Sequence, residues 1–393
     1  MTENVLFEIT KDKLETGLRG FPVGYCTTSH VDPQTGLFYV EQPVDQLAFL
    51  DPIEVIYLLY FGKRGSSQEI KNFSGNLQAR AACHPQAIEA IKHLPRQGHP
   101  MELFSAAILI LGMFEKTGDY REDCLNLIAK MPHLAACVIN HHANWGDTPD
   151  PESRFGYMED FCRMLQTPEV DKEEMTRAMK LFNILHFDHG GGNLSTFVGK
   201  AIASGLADLY GSIAGAMCAL AGPRHGRANQ DCLEFVRSVL DEVGEDATGA
   251  QVEKLLRHRL ATNQLVFGFG HAVLRVEDPR ATVQYAYIQK NYPDHALVKI
   301  ALLLRTEGAK VLSENPKISN PYPNVDAVSG TMLTVSGFSY PEYYTLLFGL
   351  SRSVGIARQI VYERVEARGG KGTPIVRPKY LYIKASDTPK EVR

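Results

Sequence analysis

Apolar residues three and four positions apart dominate the chain from Asp51 onward and predict a mostly helical protein. The stretch "DPIEVIYLLYFGKRG" begins with Asp51 and Pro52, residue types favoured at a helix N-cap and first helical position, and ends at a glycine. Segments 100–118 and 120–146 repeat this spacing and also close on glycine. We therefore expect long amphipathic helices with local signals at both ends.

Segment 19–46 breaks this pattern, because β-branched and aromatic residues flank the turn sequence "DPQTG". It predicts one small hairpin. Proline and asparagine predict loops at 144–154 and 314–324. Run 194–220 is rich in Ala, Gly and Ser, which let helix backbones approach closely, so we expect a buried helix pair at the protein's centre or at a dimer interface.

Composition places the chain among folded proteins with a sizeable core. Its 393 residues are 44% hydrophobic and 22% charged. On a prior of about 150 residues per domain, this length fits about two or three domains. The net charge of −4 gives no electrostatic reason to expect a nucleic acid or a membrane surface as partner.

The seven cysteines are odd in number and never spaced as C-x-x-C. This pattern argues against a disulfide framework or a zinc ribbon and favours a reducing compartment. The opening "MTENVLFEITKDKLE" lacks the features of a signal or transit peptide, and the uncharged run 209–223 is too short to span a bilayer. We therefore expect a cytoplasmic protein.

Four stretches combine polar side chains with glycine-rich backbone: "LHFDHGGGN" (185–193), "AGPRHGRANQ" (221–230), "FGFGHAVLRVEDPR" (267–280) and "PNVDAVSG" (323–330). None forms the G-x-G-x-x-G phosphate loop. His186, Asp188 and His189 could be metal ligands, yet their spacing differs from H-E-x-x-H, so we expect no metal. On the residues alone, each histidine could be purely structural, and Asp326 could be a helix N-cap.

Together with "NPYPNVDAVSG", "YYTLLFGLSRSVG" and "RPKYLYI", these stretches resemble the citrate synthase family in order and spacing. The similarity covers nearly the whole chain and is densest over 158–382. "HPMELFSAA" and "GLSRSVG" are similar to its dimeric, eukaryote-like branch. The resemblance implies an all-α, two-domain fold with a small N-terminal hairpin: a large domain (1–225), a small domain (226–331) and a C-terminal segment returning to the large domain (332–393).

The resemblance also implies an activity: acetyl-CoA condenses with oxaloacetate, and the thioester is hydrolysed to citrate and CoA, with no cofactor. Asp326 would remove the methyl proton, His225 would donate to the thioester oxygen, and His271 would protonate the ketone oxygen. Gly222 and Pro223 break one helix, so we expect His225 near the N-terminus of the next, where the helix dipole disfavours the imidazolium.

Two carboxylates on one substrate call for planar, bidentate donors, which arginine supplies. By resemblance, oxaloacetate would contact His189, Arg280, Arg352 and Arg377, the last contributed by the partner subunit of a homodimer. Glycines permit close backbone approach. The adenine of CoA would lie along a strip formed by Leu265, Val266, Phe267, Gly268, Phe269 and Gly270, with Arg275 on a phosphate.

The sequence departs from the family at Gly190, where an acidic residue is common, at 40–42, and at Ser319, where a lysine is common. We hypothesise that one of the two arginines flanking His225, Arg224 or Arg227, compensates for that lysine at the CoA phosphates, and we favour Arg227. Three alternatives stay open: a 2-methylcitrate synthase using propionyl-CoA, a non-catalytic structural homologue, and a metallohydrolase. One methylene changes transition-state binding by only about 1–3 kcal/mol, which the sequence does not reveal.

Overall fold

The computed structural model describes residues 6–168 and 170–384. The expectations for 1–5 and 385–393, at the two ends of the chain, lie outside the described residues. Over the described ranges, helices account for nearly all regular structure, and the strands form one three-stranded sheet. Within the same ranges, no helix combines the length and apolarity needed to cross a membrane.

The predicted hairpin is confirmed. Strands β1 (Ser29–Asp32), β2 (Gly36–Tyr39) and β3 (Gln42–Pro43) pair antiparallel in chain order. Asp32 Oδ1 accepts hydrogen bonds from the backbone N–H groups of Gln34 and Thr35, which closes the turn. The short third strand was not predicted.

Ten α-helices precede the turn that carries His225 in the described chain. The local signals of the second are confirmed: the Asp51 side chain accepts from Ile53 N–H, and Gly62 ends the helix in a left-handed conformation. The sixth ends at Asn144, also left-handed, rather than at the expected glycine, because asparagine tolerates that conformation. Their bounds are α1 (Val44–Leu47), α2 (Pro52–Phe61), α3 (Ser67–Gln78), α4 (Pro85–Lys92), α5 (Pro100–Glu115), α6 (Tyr120–Ala143), α7 (Tyr157–Met164), α8 (Lys172–His186), α9 (Leu194–Ser204) and α10 (Leu209–Leu220).

The remaining helices are α11 (Ala228–Val243), α12 (Gly249–Ala261), α13 (Pro279–Asn291), α14 (Ala296–Ser313), α15 (Asp326–Val335) and α16 (Tyr344–Val361). Helices α11–α15 pack on one another, whereas α16 is almost wholly buried against α6, α8, α9 and α10. The all-α fold is confirmed, with two groups of helices.

The expected close helix pair is α9 and α10. A Cβ built on Gly199 would lie 3.2 Å from the Cβ of Ala216, and one on Gly215 would lie 2.2 Å from Ile202 Cδ1. Small residues therefore set the distance between these two helices. Their packing brings the start of α9 beneath the turn 221–227.

Candidate active site

His225 lies in the turn between α10 and α11, and its ring is held by the first turn of α9. The Ser195 backbone N–H donates to His225 Nε2 (3.3 Å), and Ser195 Oγ lies 2.9 Å from the same nitrogen. His225 lies near the N-terminus of the following helix, as expected, since α11 begins at Ala228, but no hydrogen bond of the described residues ties its ring to α11. The helix start that it contacts belongs to α9.

Burial, followed by the charge of Arg352, lowers the pKa of His225 to about 4, so the ring is neutral at neutral pH. A backbone N–H can only donate, so Nε2 is an acceptor, and hydrogen bonding assigns the ring proton to Nδ1. His225 thus keeps a free N–H donor. This is the expected protonation state, produced by burial.

His271 carries its proton on the opposite nitrogen. Its Nδ1 accepts from the backbone N–H groups of Val273 (3.0 Å) and Leu274 (2.9 Å), which leaves Nε2 as the donor. Burial, followed by the charge of Arg280, lowers the pKa of His271 to about 4. Two neutral histidines are therefore oriented by backbone groups, each with one N–H to offer.

His189 is the third histidine of the site, with its ring 5.2 Å from that of His271. Its Nε2 is enclosed and has no hydrogen-bond partner. Burial, then the charges of Arg280 and Arg352, holds its pKa well below the ordinary value. An unpartnered polar nitrogen at this depth is suited to a ligand atom.

His186 is packed in the core between Phe182 and Phe348, and its Nε2 is enclosed without a hydrogen-bond partner. Its Nδ1 contacts the Phe182 carbonyl at 2.7 Å, the ring is fully buried, and burial lowers its pKa to about 3. Among the described residues, no group of three or more His, Cys, Asp or Glu side chains is arranged to hold a metal. The metallohydrolase alternative therefore has no geometric support at His186, Asp188 and His189.

Two arginines bring buried positive charge to the histidines. Arg280 is paired with Asp278 (Nη2 to Oδ2, 2.6 Å). Arg352 donates from Nε to the His186 carbonyl (3.0 Å) and lies over the Phe348 ring, but forms no ion pair with a described carboxylate. A buried guanidinium without a paired anion is costly unless a ligand supplies one.

Arg377 is not brought to the site within one chain. It lies in the exposed segment that follows the last helix, and it forms no hydrogen bond or ion pair with the other described candidates. Its neighbour Val376 is tied by its N–H to Ser204 Oγ (2.9 Å), at the end of α9. A single subunit therefore assembles three of the four expected oxaloacetate contacts.

Asp326 is the first residue of α15, where the N-cap is Val325, so the N-cap alternative for its side chain is wrong. Its Oδ1 is enclosed without a hydrogen-bond partner. Burial raises the pKa of Asp326 to about 6, and the charges of Arg280 and Arg352 limit that shift. The site thus holds a desolvated carboxylate that is still ionised at neutral pH.

The glycine strip runs directly beside Asp326. Phe269 pairs antiparallel with Pro323, and the Asn324 N–H donates to the Gly268 carbonyl (2.9 Å). A Cβ on Gly268, where φ is +83°, would lie 2.8 Å from Ala327. Only a glycine lets the strip approach the start of α15 so closely.

The outer part of the strip is open to solvent. Leu265 is exposed, while Val266, Phe267 and Gly270 are partly covered. Arg275 is exposed, and its Nη1 donates to the carbonyls of Val273 (2.9 Å) and Leu274 (2.7 Å). These residues form one continuous edge leading toward Asp326.

Sequence reasoning missed Ser195 and considered Asp188 only as a candidate metal ligand. The only local signal for Ser195 is Asn193, a helix N-cap residue two positions earlier, whose Oδ1 accepts from Thr196 N–H. Arg227 lies 3.6 Å from Asp231 in an exposed ion pair, and its expected role at the CoA phosphates stays a prediction.

Comparison with known proteins agrees with this geometry. The family described as "Citrate synthase, C-terminal domain" matches residues 17–379. Citrate synthase 4, mitochondrial, from Arabidopsis thaliana is 34% identical over 95% of this chain and 82% of its own length. The mitochondrial citrate synthase of Citrus maxima is 35% identical (96% and 84%), and the mitochondrial 2-methylcitrate synthase of Yarrowia lipolytica is 31% identical (95% and 84%).

Solved structures show the same likeness. Citrate synthase from Thermotoga maritima superposes with a TM-score of 0.80 at 26% identity, covering 96% of this chain and 97% of that one. The Thermoplasma acidophilum citrate synthase, solved in ternary complex with carboxymethyl coenzyme A and oxaloacetate, gives a TM-score of 0.80 at 25% identity, with the same coverage.

The expected cytoplasmic location is wrong by these comparisons, since the relatives are named as mitochondrial. Sorting signals are short segments read separately from the folded domain. Cysteine spacing and the composition of the fold therefore do not identify the compartment.

Proposed function

The chain belongs to the citrate synthase family, and from that membership we propose how its residues divide the reaction. The enzyme condenses acetyl-CoA with oxaloacetate and hydrolyses the resulting thioester to citrate and CoA. The observation that carries the residue assignment is the enclosed carboxylate of Asp326, ionisable near neutral pH, on which the charges of Arg280 and Arg352 act. The same two arginines act on the two neutral histidines, Arg352 on His225 and Arg280 on His271.

Asp326 acts as the general base. The methyl group of acetyl-CoA is a far weaker acid than any side chain, so its proton leaves only when the enolate oxygen is stabilised. The Nδ1–H of His225 donates to that oxygen. A carboxylate with a pKa of about 6 is a stronger base than an exposed aspartate and is still ionised at neutral pH.

His271 is the acid for the second reactant. Its Nε2–H protonates the ketone oxygen of oxaloacetate as the enolate carbon attacks the carbonyl carbon. His189, Arg280 and Arg352 bind the substrate, because guanidinium groups match carboxylates in shape and charge. The charge of Arg352, unpaired in the free enzyme, is neutralised when oxaloacetate binds.

CoA lies along the strip from Leu265 to Gly270 (265–270), with Arg275 turning from its own carbonyls to a phosphate. This placement carries the thioester to Asp326, since the strip contacts Ala327. We assign the reaction no metal and no further cofactor, because these side chains supply the base and both donors. Undiminished turnover in a chelator would be the expected result.

The enzyme works as a homodimer in which Arg377 completes the partner's oxaloacetate site. Three large apolar side chains on the same segment, Ile375, Tyr380 and Leu381, are exposed in a single chain, as a segment that packs on another subunit would require. The domain boundaries proposed are a large domain of 1–225 completed by 332–393 and a small domain of 226–331, which contains α11–α14 and the first part of α15.

Comparing kcat/KM for acetyl-CoA and for propionyl-CoA, each with oxaloacetate, determines which acyl-CoA the enzyme prefers. We expect acetyl-CoA to be preferred by about tenfold or more, as one methylene allows. The relative from Yarrowia lipolytica makes 2-methylcitrate synthase the second candidate. A preference for propionyl-CoA would establish it instead, and no turnover with either would leave the non-catalytic alternative.

A further inference from the structure

A buried carboxylate lies immediately before His189. Asp188 has 0% of its surface exposed, and it accepts hydrogen bonds from Thr28 Oγ1, Ser29 Oγ (2.8 Å) and Gln359 Nε2 (2.8 Å). None of these donors carries a charge, and no described lysine or arginine lies within ion-pair distance of it. Burying a carboxylate among uncharged donors costs free energy, so the position of Asp188 requires an explanation.

The fold makes room for this carboxylate at one glycine. A Cβ on Gly355, in α16, would lie 2.4 Å from Asp188 Oδ1 and 2.5 Å from its Cγ. The Gly355 N–H also donates to the carbonyl of Phe187 (3.1 Å). Only a glycine at position 355 therefore lets α16 pack against the segment that leads into His189.

The same network holds the backbone on both sides of His189. The Asp188 N–H donates to the Tyr39 hydroxyl (3.3 Å), while the Gly190 N–H donates to Ser29 Oγ (2.7 Å). Gln359 Nε2 reaches the Gly190 carbonyl at 3.2 Å. Strands β1 and β2 thus fix the segment 188–190 through Ser29 and Tyr39, and the His189 ring projects from it.

Asp188 also acts on Arg352 through its charge. Burial lowers the pKa of Arg352 to about 10, and the Asp188 carboxylate is the largest of the charges that oppose this shift. Arg352 forms no ion pair with a carboxylate of the described residues. Asp188 is therefore the fixed anion that favours the charged form of a substrate-binding arginine.

We propose that Asp188, held by the hairpin hydroxyls of Thr28 and Ser29, is a positioning residue for oxaloacetate. It fixes the His189 ring in place and supplies the counter-charge for Arg352. This inference rests on the proposed roles of His189 and Arg352. It assigns the N-terminal hairpin a function in substrate binding that was not expected from the sequence.

The test is Asp188→Asn, which removes the charge while keeping the shape, since the Thr28 and Ser29 hydroxyls can rotate to accept as well as donate. We expect the KM for oxaloacetate to rise about 10- to 100-fold, as for a contact group misplaced by about 1 Å, and the KM for acetyl-CoA to change less than about twofold. A merely structural aspartate would shift both constants, or neither.

Asp123→Asn is the matched control. Asp123 is equally buried and accepts two 2.8 Å hydrogen bonds, from Thr117 N–H and Thr117 Oγ1, but none from a site residue. The control should leave both KM values unchanged. Ser29→Ala is a milder variant that keeps the Asp188 charge and should raise the oxaloacetate KM by a smaller factor, so a failure of Asp188→Asn to fold does not end the test.

The shift in Tm on adding oxaloacetate gives a second readout that needs no turnover, and it should shrink in Asp188→Asn but not in Asp123→Asn. His189→Ala separates two failures. If His189→Ala weakens oxaloacetate binding and neither Asp188→Asn nor Ser29→Ala does, the positioning role is overturned alone. If His189→Ala also binds normally, the proposed site is wrong.

Discussion

Asp326 combines two requirements that oppose each other. Its carboxylate must be desolvated to act as a strong base, yet ionised to act at all. Burial raises its pKa to about 6, while Arg280 and Arg352 keep the shift from going further. The two arginines proposed to bind oxaloacetate therefore also set the pH range in which the proposed base is ionised.

A pH prediction follows for the free enzyme. Because the base must be ionised, kcat/KM for acetyl-CoA should fall about tenfold per unit of pH below about 6. Initial rates with both acetyl-CoA and oxaloacetate below saturation, measured from pH 5 to 8, give the profile of the free enzyme. A flat profile down to pH 5 would rule out Asp326 as the base.

The stability of the fold supplies the control for this assignment. A raised aspartate pKa means that the native state binds more protons than the unfolded state between pH 3.8 and about 6, so this group costs stability as pH rises through that window. Asp326→Asn should therefore lose activity yet have a higher Tm than the wild type above pH 6. Below pH 3.8 the difference in Tm should vanish.

Residue identities at the site were largely predictable, and their surroundings were not. The motifs located His225, His271 and Asp326, but the partner of His225 is Ser195, 30 positions away on another helix. That contact depends on how closely α9 and α10 pack. The neutral form of His225 was predicted, although its main cause is burial rather than a helix dipole.

Element ends show the same division between local and distant causes. The start and end of α2 depend on Asp51 and Gly62 themselves, so the sequence predicts them. The turn 221–227 is a different case. Its Gly226 N–H donates a hydrogen bond to the Leu220 carbonyl (2.9 Å), and α11 begins only after this turn, at Ala228. Helix-breaking residues predict that a break occurs, and not how long it is.

The close packing of helix α16 against Asp188 can be tested by substituting Gly355. Gly355→Ala places a methyl group against Asp188, which is locked in its hydrogen bonds, so we expect a loss of about 1–3 kcal/mol in unfolding free energy. The oxaloacetate KM should rise as the His189 segment moves. Denaturant unfolding and steady-state kinetics on the same preparation measure both effects.

The control for this substitution is Gly75→Ala, inside α3. A Cβ there meets nothing within 4 Å, so the alanine should stabilise by about 0.5–1 kcal/mol and leave kinetics unchanged. If Gly355→Ala were as harmless as Gly75→Ala, the close fit between α16 and Asp188 would not matter to the enzyme.

On the scale of the whole molecule, the site is shared between two groups of helices. His189 and Arg352 come from the first, whereas His271, Arg280 and Asp326 come with α11–α15. No pattern in the sequence states the relative placement of the two groups, because it results from long-range packing rather than from periodicity. Family resemblance alone predicted it. Among the expected site residues, Arg377 is the one that a single chain does not bring to the site.

The proposed sharing of Arg377 can be tested by complementation between two defective variants. Asp326→Ala lacks the base, and Arg377→Ala lacks the substrate contact, so each homodimer should be nearly inactive. A mixed dimer contains one site with both substitutions and one with neither, provided that each site takes Asp326 from one subunit and Arg377 from the other. With equal, random mixing, half of the dimers are mixed, so about a quarter of wild-type activity should return.

Co-expression with two affinity tags isolates the mixed dimer. If it forms and stays inactive, Arg377 acts within its own subunit, because a site built from one chain would be defective in both halves.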